Sequence, residues 1–363
     1  MTASLESIDW HSFLARPPLA SPAPSELEKL RNARILITGA GGSIGTALAL
    51  RIAELAPACL VLLEASESHL FALQNVFAEL AVNANAVFAL GDACDSPLVD
   101  ELFALHRPQL VFHAAAFKHV PLLEEQPLAA IANNTFGTRA LARTAFAYSA
   151  HLVLLSTDKA VAPASIMGAT KRVAEQIVLS AGGTALRLGN VLASRDSVAE
   201  VFAAALAAGR PLTVTDPAAR RYFLTVDEAV GLLLAAALAG PALYAAALPK
   251  THYVADLARF LARTLAPEQQ VAIEFSHLRS GDKEAEQFWS ASESSRPAQS
   301  NGLIAISSPQ PNKLDAGLDA LQTVVRTRDL VAAITQLASL VPDFTPSSTL
   351  RMLAQSRTAQ AAQ

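Results

Sequence analysis

The sequence predicts an α/β protein built on a doubly wound parallel sheet, with a smaller C-terminal lobe over the ends of its strands. Three observations lead there. Apolar strands alternate with amphipathic helices through the first half of the chain. Those strands read as continuous hydrophobic runs, the pattern of a sheet covered on both faces. A glycine-rich turn joins the first strand to the first helix.

The elements follow in order. "RILITGA" is a strand, "GSIGTALALRIAEL" a helix, "CLVLLEA" a strand, "HLFALQNVFAEL" a helix, "NAVFALGDA" a strand, "PLVDELFALH" a helix and "QLVFHAAA" a strand. "LAAIANNTFGTRALARTAFAY" supplies a helix, "HLVLLSTDKA" a strand, "GATKRVAEQIVLSA" a helix and "TALRLGN" another strand. Past residue 190 the segments are shorter and less regular. The resulting division is an N-terminal arm at 1–32, whose prolines break any long helix, and a nucleotide-binding domain at 33–189. A smaller lobe with elements returning to the sheet takes 190–345, and a polar, frayed tail 346–363.

Bulk properties narrow the function. The 363 residues can bury a full core, and 52% hydrophobic with 6% aromatic residues fits helix-rich packing with small contacts. A net charge of −4 provides no positive field for a polyanion, so nucleic acid is not an expected partner. Two cysteines, Cys59 and Cys94, without a CxxC pairing, read as free thiols in the cytoplasm, and no metal site is expected. The apolar stretch 229–248 could span a bilayer by length. Gly240-Pro241 divides it into a helix and a strand-like "ALYAAAL", so no membrane segment is expected.

In "ILITGAGGSIG", Gly39, Gly42 and Gly45 lie between strand and helix at the spacing that lets backbone amides approach a pyrophosphate. Ser43 and Ile44 begin the helix and lend its positive end. Glu64 closes the second strand about twenty residues on, placed to accept hydrogen bonds from an adenosine ribose. Its carboxylate would repel a 2′-phosphate, so NAD is expected over NADP. Asp92, with Ala93, is placed for the adenine edge, although a plain turn explains it nearly as well. Ala114, Ala115 and Ala116 end the fourth strand with side chains small enough for a dinucleotide to lie against the backbone; such residues also merely pack helices. This is the Rossmann arrangement.

With those residues in place, the chain resembles the extended short-chain dehydrogenase/reductases. More narrowly, it is similar to the CapD-type polysaccharide-biosynthesis proteins, whose characterised members are UDP-N-acetylglucosamine 4,6-dehydratases. The similarity covers about residues 33 to 290. It rests on "TGAGGSIG", "HAAAFKHVPLLEEQP", "NNTFGT", "STDKAVAPASIMGATKR", "LRLGNVLASRDSV" and "RRYFLTVDEAV".

The resemblance implies an NAD-dependent nucleotide-sugar dehydratase acting in surface polysaccharide biosynthesis. The sugar is oxidised at C4, water is eliminated across C5 and C6, and the hydride returns to C6. By the family's pattern Lys159 is the C5 base and Asp158 the acid towards the C6 hydroxyl. Met167 stands where relatives of the wider group carry Tyr, a variant known among CapD-like members. Lys171 binds the nicotinamide ribose. Thr157 or Asp158 is left to take the C4 hydroxyl proton. For Lys159 to act as a base its pKa must fall by several units, through burial and the nearby Lys171. Lys118 and His119 are expected to face the nicotinamide or the sugar. Asn190 would contact the substrate, Val191 the nicotinamide, and Arg279 the diphosphate through a bidentate pair.

Departures from the family's pattern fall on the substrate side. "SHLRSGDKEAEQFW" keeps Arg279, Gly281 and Lys283 but loses a proline and replaces Glu by Asp; "NVLASRDSV" has Ala193 and Asp196 where glycine is common. The membrane-spanning N-terminal region of longer relatives is missing, so a free cytoplasmic enzyme acting on a UDP-sugar is expected, with a homo-oligomer as its assembly. A nucleotide-sugar epimerase and a non-catalytic NAD-binding sensor or scaffold are the alternatives.

Overall fold

A computed structural model of the chain describes residues 5–82, 84–298, 302–310 and 313–361. Nine strands form the main sheet: β1 Arg34–Thr38, β2 Cys59–Glu64, β3 Ala86–Leu90, β4 Leu110–His113, β5 His151–Thr157, β6 Thr184–Leu188, β7 Leu243–Ala246, β8 Ser294–Pro297 and β9 Leu303–Ser307. Their order is β8-β9-β7-β6-β5-β4-β1-β2-β3. Strands β1 to β7 pair in parallel, and the order reverses between β1 and β4, where a doubly wound sheet opens its ligand crevice. The expected fold class is observed.

Burial explains why these strands read as unbroken apolar runs. Ile35, Leu36 and Ile37 of β1 are all fully buried, as are Leu60 and Leu62 of β2, because helices cover both faces. The helix Val226–Ala239 is held at its start by a capping box of Thr225 and Glu228, and it ends at Gly240. The strand-like "ALYAAAL" becomes β7, in register with β6. No helix among the described residues is long and apolar enough to cross a membrane.

Two antiparallel strands at one end of the sheet were not individually expected. β9 runs antiparallel to β7, and β8 antiparallel to β9. A buried ionic cluster ties this hairpin region to the central sheet. Arg187 on β6 donates to Glu175 at 2.9 and 2.8 Å and to Glu293 at 2.8 and 2.9 Å, while Arg172 reaches the same two carboxylates. Ser156 on β5 donates to Glu175 at 2.6 Å. Every charge in the cluster is paired and hydrogen-bonded, which is what makes its burial tolerable.

A second, smaller core joins Phe202, Leu212, Phe223, Leu257 and Leu261 to Trp10, Phe13 and Leu14. The N-terminal segment is therefore docked, not a surface arm: Leu14 is fully buried and the Phe13 ring packs 5.3 Å from that of Phe260. The Arg16 guanidinium also pairs with the buried Glu228 carboxylate, at 2.8 Å for one contact. The apolar triad 10, 13 and 14 falls on one face of a turn of helix, which suffices to anchor it. Residues 1–4 lie outside the described residues.

The expected frayed tail is likewise corrected. Ser348–Ala361 is a helix; Leu350 is fully buried, its N–H donates to Ser347 Oγ at 3.1 Å, and Ser347 Oγ in turn donates to the buried Glu124 carboxylate. One buried leucine and one buried polar pair hold a stretch that is otherwise polar. Residues 362–363 lie outside the described residues.

Candidate active site

The glycine turn at the end of β1 leaves no room for side chains on its inner face. Gly39 has φ +67°, and a Cβ there would sit 2.7 Å from the Ala115 nitrogen; a Cβ on Gly45 would sit 2.1 Å from the Gly39 carbonyl oxygen. Gly42 differs. Only the Gly39 oxygen, at 3.3 Å, would meet its Cβ, so its outer side is open. The helix Ser43–Ala53 starts on Gly42 with no side-chain cap, leaving first-turn amides available to an anion.

Glu64 closes the rim of this turn. Its carboxylate accepts from the Gly41 and Ser66 amides, each at 2.9 Å, and retains further lone pairs for a ribose. Asp92 accepts from the Cys94 amide at 2.9 Å, the turn geometry that was the competing expectation for it, and Ala93 beside it is buried. Ala114 and Ala115 hydrogen-bond back to Thr38, which sets the β4 exit against the glycine turn; Ala116 follows.

The loop after β4 is gripped from a π-helical turn, Ile131–Gly137. Asn134 accepts from the Phe117 amide at 2.9 Å, donates to the Phe117 carbonyl at 3.0 Å and donates to Thr170 at 3.2 Å. Lys118 and His119 turn from there towards the 195–196 loop. Lys118 Nζ donates to the Arg195 carbonyl, and His119 lies 3.6 Å from the Asp196 carboxylate. Arg195 itself spans to the glycine turn: its amide donates to Ser43 Oγ at 2.8 Å and its guanidinium to the Gly41 carbonyl at 3.1 Å. Sequence reasoning did not single out Arg195 or Asn134, although both lie in the quoted blocks.

At the end of β5 the Thr157-Asp158-Lys159 turn brings its three side chains together. Thr157 Oγ1 donates to Asp158 Oδ1 at 3.0 Å, and Lys159 Nζ donates to the same oxygen at 3.0 Å and to Asn190 Oδ1 at 3.0 Å. Asp158 is fully buried, and its Oδ2 has no hydrogen-bond partner among the described residues. Burial pushes the Asp158 carboxyl above the usual carboxylate range, aided by Glu286 and opposed by Lys159.

The expectation that Lys159 is brought low is corrected. Burial does favour the neutral amine, but Asp158 and Glu286 outweigh it and hold Lys159 above its ordinary value. The cation facing it is Arg221, not Lys171. Glu286 was missed altogether; its Oε1 lies 3.9 Å from Lys159 Nζ and its Oε2 accepts from Lys283 at 2.9 Å. Only a residue spacing three from Lys283 hinted at it.

The helix Ile166–Ser180 packs its first turn on this site, capped by Ser165, which accepts from the Gly168 amide at 3.1 Å. Met167 is buried there, with a side chain that carries no proton. Lys171, also buried, is brought down to about 8 by desolvation, with Glu175 opposing, and its charge reaches His113. Val191 pairs with Leu224 in a short parallel ladder and Asn190 with Phe223. Arg279 is exposed, and its guanidinium donates to Asp282 at 3.0 Å.

The parallel sheet, its switch point beside an open glycine turn, and the Asp-Lys turn at the end of β5 define an extended short-chain dehydrogenase/reductase fold. The chain belongs to the polysaccharide biosynthesis protein family, which matches residues 35–308. It is 36% identical over 292 residues to the capsular polysaccharide biosynthesis protein CapD of Staphylococcus aureus, covering 77% of this chain and 49% of that one. The chain thus spans about half the length of that relative. Among solved structures it is similar to Pen from Bacillus thuringiensis, with TM-score 0.70 and 27% identity over 77% of this chain and 89% of that chain. DesIV of Streptomyces venezuelae, a dTDP-glucose 4,6-dehydratase solved with NAD, has TM-score 0.61 at 19% identity over 70% of this chain and 87% of that one, a likeness of fold alone.

Proposed function

We propose that the chain is a nucleotide-sugar 4,6-dehydratase of the NAD-dependent kind, acting on a UDP-sugar. The observation that carries this reading is the Asp158–Lys159 pair: a fully buried acid with one oxygen unpartnered, hydrogen-bonded at 3.0 Å to an amine on the same strand end. An elimination needs an acid and a base side by side; a simple 4-epimerisation needs neither at this turn.

The open side of Gly42 and the uncapped helix start fit a dinucleotide pyrophosphate, with Glu64 at the ribose and Lys171 towards the nicotinamide end. When bound, the nicotinamide would supply the hydride acceptor for C4 and the donor for C6. The chain's own residues move protons. In this reading the resting pair is an ammonium at Lys159 and, at Asp158, a carboxylate that burial holds above its usual range and so leaves ready to take a proton. Passing one proton across their hydrogen bond gives a neutral amine and a neutral carboxylic acid, the two forms that elimination requires. Lys159 then takes the C5 proton while Asp158 gives its own to the departing C6 hydroxyl, which leaves as water. Elimination leaves the pair as ammonium and carboxylate; Lys159 then gives its proton back to C5 as the hydride returns to C6, and regains from solvent the equivalent of the proton that the C4 hydroxyl released through Thr157 on oxidation.

A panel of UDP- and dTDP-hexoses incubated with the protein and followed by mass spectrometry tests this. A product lighter by one water supports dehydration; conversion without mass change would identify an epimerase, and dinucleotide binding with no product from any sugar would point to a sensor or scaffold.

A further inference from the structure

The C-terminal block "GDKEAEQF" has no part in the chemistry described so far, yet it reaches the catalytic turn. Lys283 belongs to the block whose Arg279 was expected to reach a diphosphate. Instead its Nζ donates inward, to the Val161 carbonyl at 2.7 Å and to Glu286 Oε2 at 2.9 Å. Glu286 is almost fully buried, at 4% exposure, and its other oxygen faces Lys159 Nζ at 3.9 Å. The amine therefore lies between two carboxylates, Asp158 from its own turn and Glu286 from a distant segment, with Asn190 as a third acceptor.

We propose that Glu286, restrained by Lys283, is a positioning residue that holds the Lys159 side chain as an ammonium in the resting site and aims it alongside Asp158. This deepens the dehydratase reading and rests on it for its catalytic meaning.

The charge arrangement supplies the reason. Lys159 is faced by Asp158 and Glu286, which favour its ammonium, and by Arg221, which opposes it. Lys283 stands behind Glu286, and the Tyr222 phenol lies within the field of Asp158. Although burial pushes Glu286 upward, Lys159 and Lys283 keep it below its ordinary range and so ionised. An ionised carboxylate there holds the proton on Lys159, while the same charge raises Asp158 and so keeps that acceptor ready for it. The Lys283 contact, shorter than the Lys159 one, spends part of that charge elsewhere. The pair is thus kept charged without substrate but is not locked in that form.

The test reads Lys159 directly, in the whole protein. Lysine labelled with ¹³C at Cε is titrated by NMR, and the Lys159 signal is assigned by its loss in K159R. In E286Q the Lys159 midpoint should fall by about one pH unit or more, as expected for removing one close, partly screened charge. E286D should restore much of it, and K283M should move the midpoint the other way. A merely structural role would not move it in opposite directions. If E286Q does not fold, by circular dichroism, K283M carries the comparison against the unaltered protein. A Lys159 midpoint unchanged in the folded variants overturns the proposal. Midpoints that shift as stated, in a protein that dehydrates no nucleotide sugar, would uphold the Glu286 pairing while ending the dehydratase reading.

Discussion

Gly168 lies so close to Lys159 that a Cβ on it would sit 2.2 Å from the Lys159 carbonyl oxygen and 3.0 Å from the Pro163 side chain. The helix carrying Met167 and Lys171 can rest on the Thr157–Lys159 turn only because this position has no side chain. Gly168→Ala should push helix and turn apart, at about 1–3 kcal/mol of stability. Turnover should fall more than the unfolding midpoint alone explains. Denaturant unfolding and steady-state rates on the same preparation check both.

Met167 is buried and unable to carry a proton, so its side chain can contribute to this site only by filling space. Met167→Leu conserves volume and should change kcat by less than about tenfold, whereas losing a general acid or base costs about 10²–10⁴. A loss in the latter range would mean the thioether does more than pack.

Lys171 titrates at about 8, because burial favours its neutral form. Below that value it is an ammonium and can attract the dinucleotide; above it the charge is lost. NAD affinity, measured by calorimetry between pH 7 and 9.5, should weaken as pH rises through about 8. Lys171→Met should flatten that dependence. A flat profile in the unaltered protein would remove Lys171 from the cofactor site.

Glu64 holds the glycine turn through Gly41 and would face a 2′-phosphate. NADP should therefore bind at least about tenfold more weakly than NAD, equivalent to ~1.4 kcal/mol. Equal affinity would show that another group, with Arg195 the nearest cation to Gly41 in hydrogen-bond terms, compensates the charge.

Arg187→Ala leaves Glu175 and Glu293 buried without their bidentate partner and should cost about 3–5 kcal/mol. Burial would raise both carboxyls, but Arg187 and its neighbours hold them low, Glu293 at about 2. Such depressed groups stabilise the fold fully above the ordinary carboxylate value of about 4.3. That contribution fades as pH falls towards about 2. Unfolding free energies measured across that window should decline in the unaltered protein and decline less in Arg187→Ala.

Much of this architecture was legible before any coordinates. The continuous apolar runs of β1, β2, β4 and β5 exist because both sheet faces are covered, and the glycine spacing because backbone approaches backbone. β8 left no such trace: all of Ser294–Pro297 is exposed, so no alternation marks it as a strand. Trp10, Phe13 and Leu14 did carry a helical spacing, but the prolines that follow drew attention to the breaks. Of the site, the Asp158–Lys159 turn could be placed because the two are adjacent in sequence. Glu286 could not, since its meeting with Lys159 depends on how the smaller lobe folds back, and local pattern does not encode that. The sign of the Lys159 shift was misjudged because Asp158, its sequence neighbour, and Glu286, which local pattern does not reveal, together outweigh burial.

The central claim is that Lys159 and Asp158 exchange protons with C5 and the C6 hydroxyl of a sugar. It is tested most directly by running the reaction on UDP-N-acetylglucosamine in D₂O and weighing the product, with Lys159→Ala and Asp158→Asn beside the unaltered protein. The account predicts a product lighter by one water that has gained a single deuterium at C5, and loss of both changes in either variant. Dehydrated, deuterated product formed at an undiminished rate by those variants would contradict it.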